Sequence, residues 1–247
     1  MNTLLTATKS LALIAVACTT LLPVAAHAQT FTDTAANPIY AKGYTGLGAE
    51  TPGFGTFKVV CAGVSAGTFV ASASEAEAGQ GNPGSIDTGG KAFGTYAQTP
   101  DAVTTITRTF RAASRPSGLT AGDSFSLDFV SGYNDGANGG GSAGVALLSA
   151  AGPVGDFHYQ SGNKYFFDGK VIAGQQYVAG ALHLVYTLTS ATAYSLQVTG
   201  AVTYSGTGTY NGPITGFQVQ QKNAGGKDPA HNAYFNTLAL KCVPTAP

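Results

Sequence analysis

Ser124-Phe125-Ser126-Leu127-Asp128-Phe129 places Phe125, Leu127 and Phe129 on one side of the chain and Ser124, Ser126 and Asp128 on the other. A period of two with one apolar side is the signature of an extended strand that buries a single face. The same pattern recurs on both sides of this stretch. Upstream, Thr104–Arg111 sets Ile106, Arg108 and Phe110 together. Downstream, Ala181–Leu188 aligns Leu182, Leu184, Tyr186 and Leu188, and Ala193–Thr199 aligns Tyr194, Leu196 and Val198.

Shorter runs complete the series: Phe57–Cys61, Thr68–Ala71, Ala143–Leu148, Phe157–Gln160, Tyr165–Phe167, Ile214–Gln221 and Ala233–Leu240. Between them stand Gly, Pro, Asn and Asp, the residues of turns. The one helical candidate, Ala73–Ala78, is short and runs into Gly79-Gln80-Gly81-Asn82-Pro83-Gly84. The 34 glycines cluster in loops without a period, which excludes collagen-like and solenoid readings. The pattern therefore predicts an all-β fold in which two antiparallel sheets close over one core, a jelly-roll sandwich.

The N-terminus reads differently. Lys9 is the only charge in the first ten residues, Leu11–Val24 is almost wholly apolar, and Ala26-His27-Ala28 puts small residues at both positions a signal peptidase reads. About 14 apolar residues fall short of the roughly 20 that a spanning helix needs. Residues 1–28 are thus expected to be a cleaved secretory leader. Lipoprotein processing at Cys18 fits less well, because Ala15 stands where a larger aliphatic residue is usual. No later segment is apolar for long enough to cross a bilayer, so a secreted, periplasmic or cell-surface location is expected. The domain is then expected over residues 55–243, after a partly irregular extension at 29–54 and before a short tail at 244–247.

The whole chain carries 12 Lys and Arg against 12 Asp and Glu, and charged residues make up only 10% of it. Such a balance excludes a concentrated basic face for nucleic acid and a polybasic membrane anchor. It leaves a surface of Thr, Ser, Asn, Gln and Gly, suited to partners such as glycans. Two cysteines follow the leader, Cys61 and Cys242. An isolated pair in an oxidising compartment reads as one disulfide, the alternative being two free buried thiols. In the chain-entropy picture a bridge closing so long a loop contributes on the order of 5 kcal/mol.

Several segments resemble a known fold family. Gly90-Lys91-Ala92-Phe93-Gly94-Thr95-Tyr96, Arg108-Thr109-Phe110 and the run Leu119–Phe129 are similar to the first half of bacterial concanavalin A-like (lectin/glucanase) sandwich modules. Gly144–Leu148, Ile214–Val219 and Asn232–Leu238 resemble their later strands, so the likeness spans roughly residues 55–242. It implies a sandwich with its first and last strands in one sheet, which would agree with a Cys61–Cys242 bridge. Modules of this kind serve as lectins, as parts of polysaccharide-degrading enzymes and as surface domains, and the fold does not choose among them.

Catalysis finds little support in the residues. Glycosidases use two carboxylates flanking the scissile bond. The chain has three glutamates, Glu50, Glu75 and Glu77, and only Glu75 and Glu77 stand close together. Their setting of alanines, serine and glycine lacks the bulky strand residues of the glucanase motif and reads as a solvated loop. Among the histidines, His183 lies on an alternating strand and is expected to pack or hydrogen bond. No zinc-ligand spacing is present.

For calcium, the loop Tyr133-Asn134-Asp135-Gly136-Ala137-Asn138 offers Asn134, Asp135 and Asn138, with Asp128 or Asp156 as further carboxylates. The metal wants six to eight oxygens, and this loop holds one carboxylate. Other cofactors are not expected. For sugar, the chemistry needs an aromatic platform beside hydroxyl-binding groups. Trp is absent, but there are 12 Tyr and 13 Phe. Tyr133 with Asn134 and Asp135 forms one candidate group, and Tyr159 with Asn163 and Tyr165 a second. The leading expectation is a non-catalytic, lectin-like module for a carbohydrate or another extracytoplasmic polymer. A hydrolase using Glu75 and Glu77, and a structural surface protein without a small ligand, remain open.

Overall fold

A computed structural model describes residues 27–44, 50–72, 86–135 and 140–244. Glu75, Glu77, Asn138, Cys18, nearly all of the leader and most of the tail lie outside the described residues, as does the helical candidate Ala73–Ala78.

The described chain forms fifteen strands. In order they are β1 (Gln29–Asp33), β2 (Gly53–Ala62), β3 (Ala66–Ser72), β4 (Lys91–Ala97), β5 (Val103–Arg111), β6 (Ser124–Val130), β7 (Ser142–Ser149) and β8 (Gly152–Gln160). There follow β9 (Lys164–Phe167), β10 (Lys170–Val171), β11 (Leu182–Leu188), β12 (Ala193–Gly200), β13 (Tyr204–Thr209), β14 (Ile214–Lys222) and β15 (Ala233–Cys242). All pairings are antiparallel. One sheet has the order β13-β12-β11-β6-β15-β4-β3, with β1 also on β15; the other has the order β10-β9-β8-β7-β14-β5-β2. The fold is the expected jelly-roll sandwich. Among the described residues no helix is long and apolar enough to cross a membrane.

Alternation explains the layering. Phe125, Leu127 and Phe129 of β6 are fully buried. They meet Phe217 and Val219 of β14 in the opposite sheet, where Phe125 and Phe217 stack with centroids 4.6 Å apart. Phe57 of β2 and Phe93 of β4 close the core in the same way, 5.2 Å apart. Each buried phenyl ring is worth about 1.5–3 kcal/mol of transfer from water.

Arg108 sits on the apolar side of β5 and is 1% exposed. Burying a guanidinium is costly unless every donor is answered, and here the answers come from the N-terminal segment. Arg108 donates to Asp33 at 2.6 Å, to the carbonyl of Gly55 at 2.7 Å, to Thr51 Oγ1 at 2.8 Å and to Tyr40 OH at 3.0 Å. Its plane lies 4.2 Å from the centroid of Phe57 and 4.9 Å from that of Phe54. Asp33 ends β1 and Tyr40 ends a short 3-10 turn, Pro38–Tyr40. Residues 29–40 are thereby tied into the core.

The expected Cys61–Cys242 bridge is overturned. The strand that carries Cys61 and the strand that carries Cys242 lie in different sheets, and both thiols are free, Cys61 exposed and Cys242 buried. Cys242 stands opposite Gln29 and Cys61 opposite Thr104. The near end of β2, Gly53, packs on Phe31 of β1. Cys61 is eight residues further along, or roughly 26 Å at about 3.3 Å per residue. A disulfide spans Cα atoms no more than about 7 Å apart. The ends of the domain do lie side by side, but the β1–β15 ladder joins them.

Candidate functional site

The strand registers assemble a polar surface on the outer face of the seven-stranded sheet. Inner positions such as Phe217, Val219 and Ile106 fill the core, so their neighbours Gln218, Gln220 and Thr105 face outward. Across the sheet one row reads Phe166, His158, Gly144, Gln220, Thr105 and Val60. The row beside it reads Lys164, Gln160, Ser142 and Lys222. On the other side, Gln218 opposes Ala146 and Thr107, with Lys58 beyond.

The relief of this surface follows from side-chain size. Strand β7 contributes only Ser142, Gly144 and Ala146, while the strands on either side carry His158, Gln160, Gln218 and Gln220. The result is a cleft of about 420 Å³ with a low floor and tall polar walls. Gly144 is required there: a Cβ would run into the Cβ of His158 and the carbonyl of Phe157. His158 stands beside that gap. Its Nδ1 lies 2.7 Å from Asp156 Oδ2, and its ring stacks on Phe166 at 5.1 Å and 5°. Gln220 Nε2 donates to Thr105 Oγ1 at 3.1 Å, which fixes the plane of that amide.

Such a trough carries groups that can bind hydroxyls. Primary amides present a donor and an acceptor together, the complement of vicinal hydroxyls. The stacked His158 and Phe166 rings give a flat apolar edge. Asp156 is the one carboxylate among the residues lining the cleft, and an acid pair needs two.

Three connections leave the row of Gln160, Ser142 and Lys222 at one end of the sandwich, and they carry most of the residues singled out in the sequence. The structure unites the two tyrosine groups. Tyr159 packs on Tyr165 at 5.4 Å and on Tyr177 at 5.0 Å, and Tyr177 meets Tyr133 at 5.5 Å. Asn163 Oδ1 accepts from the backbone N–H of Tyr177 at 2.7 Å. Tyr159 and Tyr165 are 1% exposed, so they support the cluster from within, while Tyr133 is 36% exposed. Burial pushes the phenols of Tyr159, Tyr165 and Tyr177 up to about 12, which keeps them neutral donors. Tyr177 was not singled out, because its segment, Gln175-Gln176-Tyr177-Val178, has no alternation to read.

The other candidates separate. Asn134 is buried and donates to the carbonyl of Ser131 at 3.4 Å. Asp135 Oδ2 lies 3.5 Å from His231 Nε2, whose ring also meets Asp228 at 2.9 Å. Asp128 is held at 2.7 Å by His183, its neighbour on β11. Among the described residues no group of three or more His, Cys, Asp or Glu is arranged to hold a metal ion.

No family model matches the chain, and no curated protein matches it. Among solved structures it is similar to the CBM2 module of the evolved Dit of Lactobacillus casei BL23 phage J-1, at 14% identity and a TM-score of 0.44, over 63% of this chain and 78% of that one. It is also similar to a carbohydrate esterase of the Shiga toxin-encoding bacteriophage phi24B, at 13% identity and 0.47, over 75% and 90%. A third likeness is to a protein of unknown function from Shewanella oneidensis MR-1, at 10% identity and 0.45, over 92% of each chain. At such identities, and with TM-scores below 0.5, these likenesses are no guide to ligand or reaction.

Proposed function

We propose that the protein is a non-catalytic, extracytoplasmic module that binds a polysaccharide strand along the outer face of the seven-stranded sheet. The observation that carries this reading is the trough itself, with its floor of Ser142, Gly144 and Ala146 between walls of amides and stacked rings. The face bears Lys58, Lys164 and Lys222 against Asp156, so an acidic polysaccharide is favoured over a neutral one, and added salt weakens its retention. Export through the leader 1–28 belongs to the same reading. It is supported by the start of β1 at Gln29, the residue after the expected cleavage site, and the N-terminal mass of the exported protein tests it.

Affinity electrophoresis in gels containing acidic or neutral polysaccharides tests the binding. Retardation by at least one acidic polymer is expected, and Gln218→Ala/Gln220→Ala weakens it by about tenfold, the equivalent of one or two lost hydrogen bonds. Mobility equal to that of a denatured control in every gel, or retardation unchanged in the double variant, overturns the proposal.

A further inference from the structure

A second cavity, larger than the trough at about 730 Å³, opens between the sheets along one side of the sandwich. There β10 ends one sheet and β13 ends the other. Strand β13, Tyr204-Ser205-Gly206-Thr207-Gly208-Thr209, forms one wall. Its register against Val198, Leu196 and Tyr194 turns Tyr204, Gly206 and Gly208 inward. Two of the three inward positions are glycine, and neighbouring side chains fill the space beside them. A Cβ at Gly206 would meet the Tyr204 hydroxyl and the Phe167 ring, and one at Gly208 the Tyr194 hydroxyl and Asp168 Oδ2.

Across the gap, Asp168 and Gly169 form the turn between β9 and β10, with φ of 46° and 73°. Asp-Gly in this left-handed pair is the favoured two-residue hairpin. The Asp168 carboxylate accepts from the Tyr194 hydroxyl and, at 3.2 Å, from the N–H of Asp156. Each oxygen thus has one donor and keeps acceptor capacity. Tyr204 is half-buried, with its ring centroid 5.4 Å from that of Phe167. Gln175 Nε2 donates to the carbonyl of Thr203 at 3.3 Å, which holds that amide at the rim, and Lys170 and Thr207 also line the cavity.

We propose that this opening is a pocket for a neutral sugar unit, such as the end of a glycan chain, lying against Tyr204. A pyranose has an apolar C–H face and a rim of hydroxyls. An aromatic ring beside a carboxylate, an ammonium and an amide is its complement. The charges of Asp168 and Lys170 offset each other, so neither a phosphate nor a uronate is favoured. The volume lies within the range of small-molecule sites. This pocket does not rest on the trough: the two share no lining residue, and either can fail alone.

The test is a 15N–1H NMR titration of the protein with glucose, galactose, mannose and N-acetylglucosamine at millimolar concentrations. At least one sugar gives saturable shifts confined to residues 167–175 and 203–209. Tyr204→Ala weakens it by about tenfold, the loss of one ring contact. Because Tyr204 also packs on Phe167, Lys170→Ala/Gln175→Ala at exposed or half-exposed rim positions serves as a second variant and weakens binding while the rest of the spectrum is unchanged. Gln218→Ala/Gln220→Ala leaves these shifts intact. The proposal is overturned by spectra that do not respond, by shifts that map to the trough, or by affinity that survives both pocket variants. Shifts along β13 with an extended peptide alone would overturn it too, in favour of strand addition at the free edge.

Discussion

Asp33→Ala removes the only carboxylate among the described residues that answers Arg108. In the folded protein both side chains are buried, at 1% and 0% exposure. The truncated protein keeps three neutral acceptors on the guanidinium, the Gly55 carbonyl, Thr51 and Tyr40, but its charge is uncompensated. Breaking a buried pair from one side costs about 3–5 kcal/mol. The upper end applies, because Asp33 also accepts from the N–H of Thr34 at 3.0 Å and from Thr51 Oγ1 at 3.1 Å. A domain of this length loses about 2–4 °C per kcal/mol, so the melting temperature drops by about 10–20 °C. Thermal melts followed by far-ultraviolet circular dichroism measure it. Asp33→Ala/Arg108→Met removes both charges and recovers a large part of the loss. Glu50→Ala is the control: its pair with Arg111 is 50% and 60% exposed and is worth under about 1 kcal/mol. An Asp33→Ala protein melting within about 2 °C of the parent, or a double variant less stable than the single, refutes the reasoning.

Protein lacking residues 1–28 labels with a maleimide at Cys61 alone, since Cys242 is buried and its thiol is pushed up by that burial; two modified thiols appear only after denaturation, and dithiothreitol leaves the melting temperature unchanged. The Asp123 carboxyl is pushed up by burial, but hydrogen bonds from Arg115 and from the N–H groups of Thr120 and Val243 outweigh this and hold it below its ordinary range. A group depressed on folding stabilises above its unfolded pKa, so that contribution is complete above about pH 5 and is lost as acid titrates it below about pH 4. Asp123→Asn is less stable near neutrality and shows a shallower acid decline, measured by urea titration at each pH. Asn236, fully buried beside an irregularity in β15, accepts from the N–H of Ala35 at 2.9 Å and donates to the carbonyls of Ile86 and Lys91 at 2.8 and 2.9 Å. Asn236→Ala strands those buried groups at about 1–3 kcal/mol each, so its urea midpoint falls by more than that of Glu50→Ala.

The alternating strands were legible because their inward positions are large and apolar, as in β6, β11 and β12. Others offered too little to read. Gln29-Thr30-Phe31-Thr32-Asp33 has one large apolar residue, and β13 has glycine at two of its three inward positions. The disulfide was inferred from a count of two cysteines, which says nothing about distance. What joins the ends instead is backbone pairing through β1, the strand whose pattern is weakest. The trough was hidden for another reason. Gln218-Val219-Gln220-Gln221-Lys222 shows its polar face plainly, but only the registers place His158 and Gly144 beside it. Tyr133, Tyr159, Asn163 and Tyr165 were each noticed, whereas their meeting depends on Tyr177, in a loop without a period.

The docking of β1 on β15 has a kinetic consequence. The bond from Ala35 to Asn236 joins positions 201 residues apart, so the opening strand has no partner until the closing one has been synthesised. Closing so long a loop comes late and slowly. Until then the acidic end of β1 and the buried cation of β5 stay apart, and the nascent chain is left in a loose form.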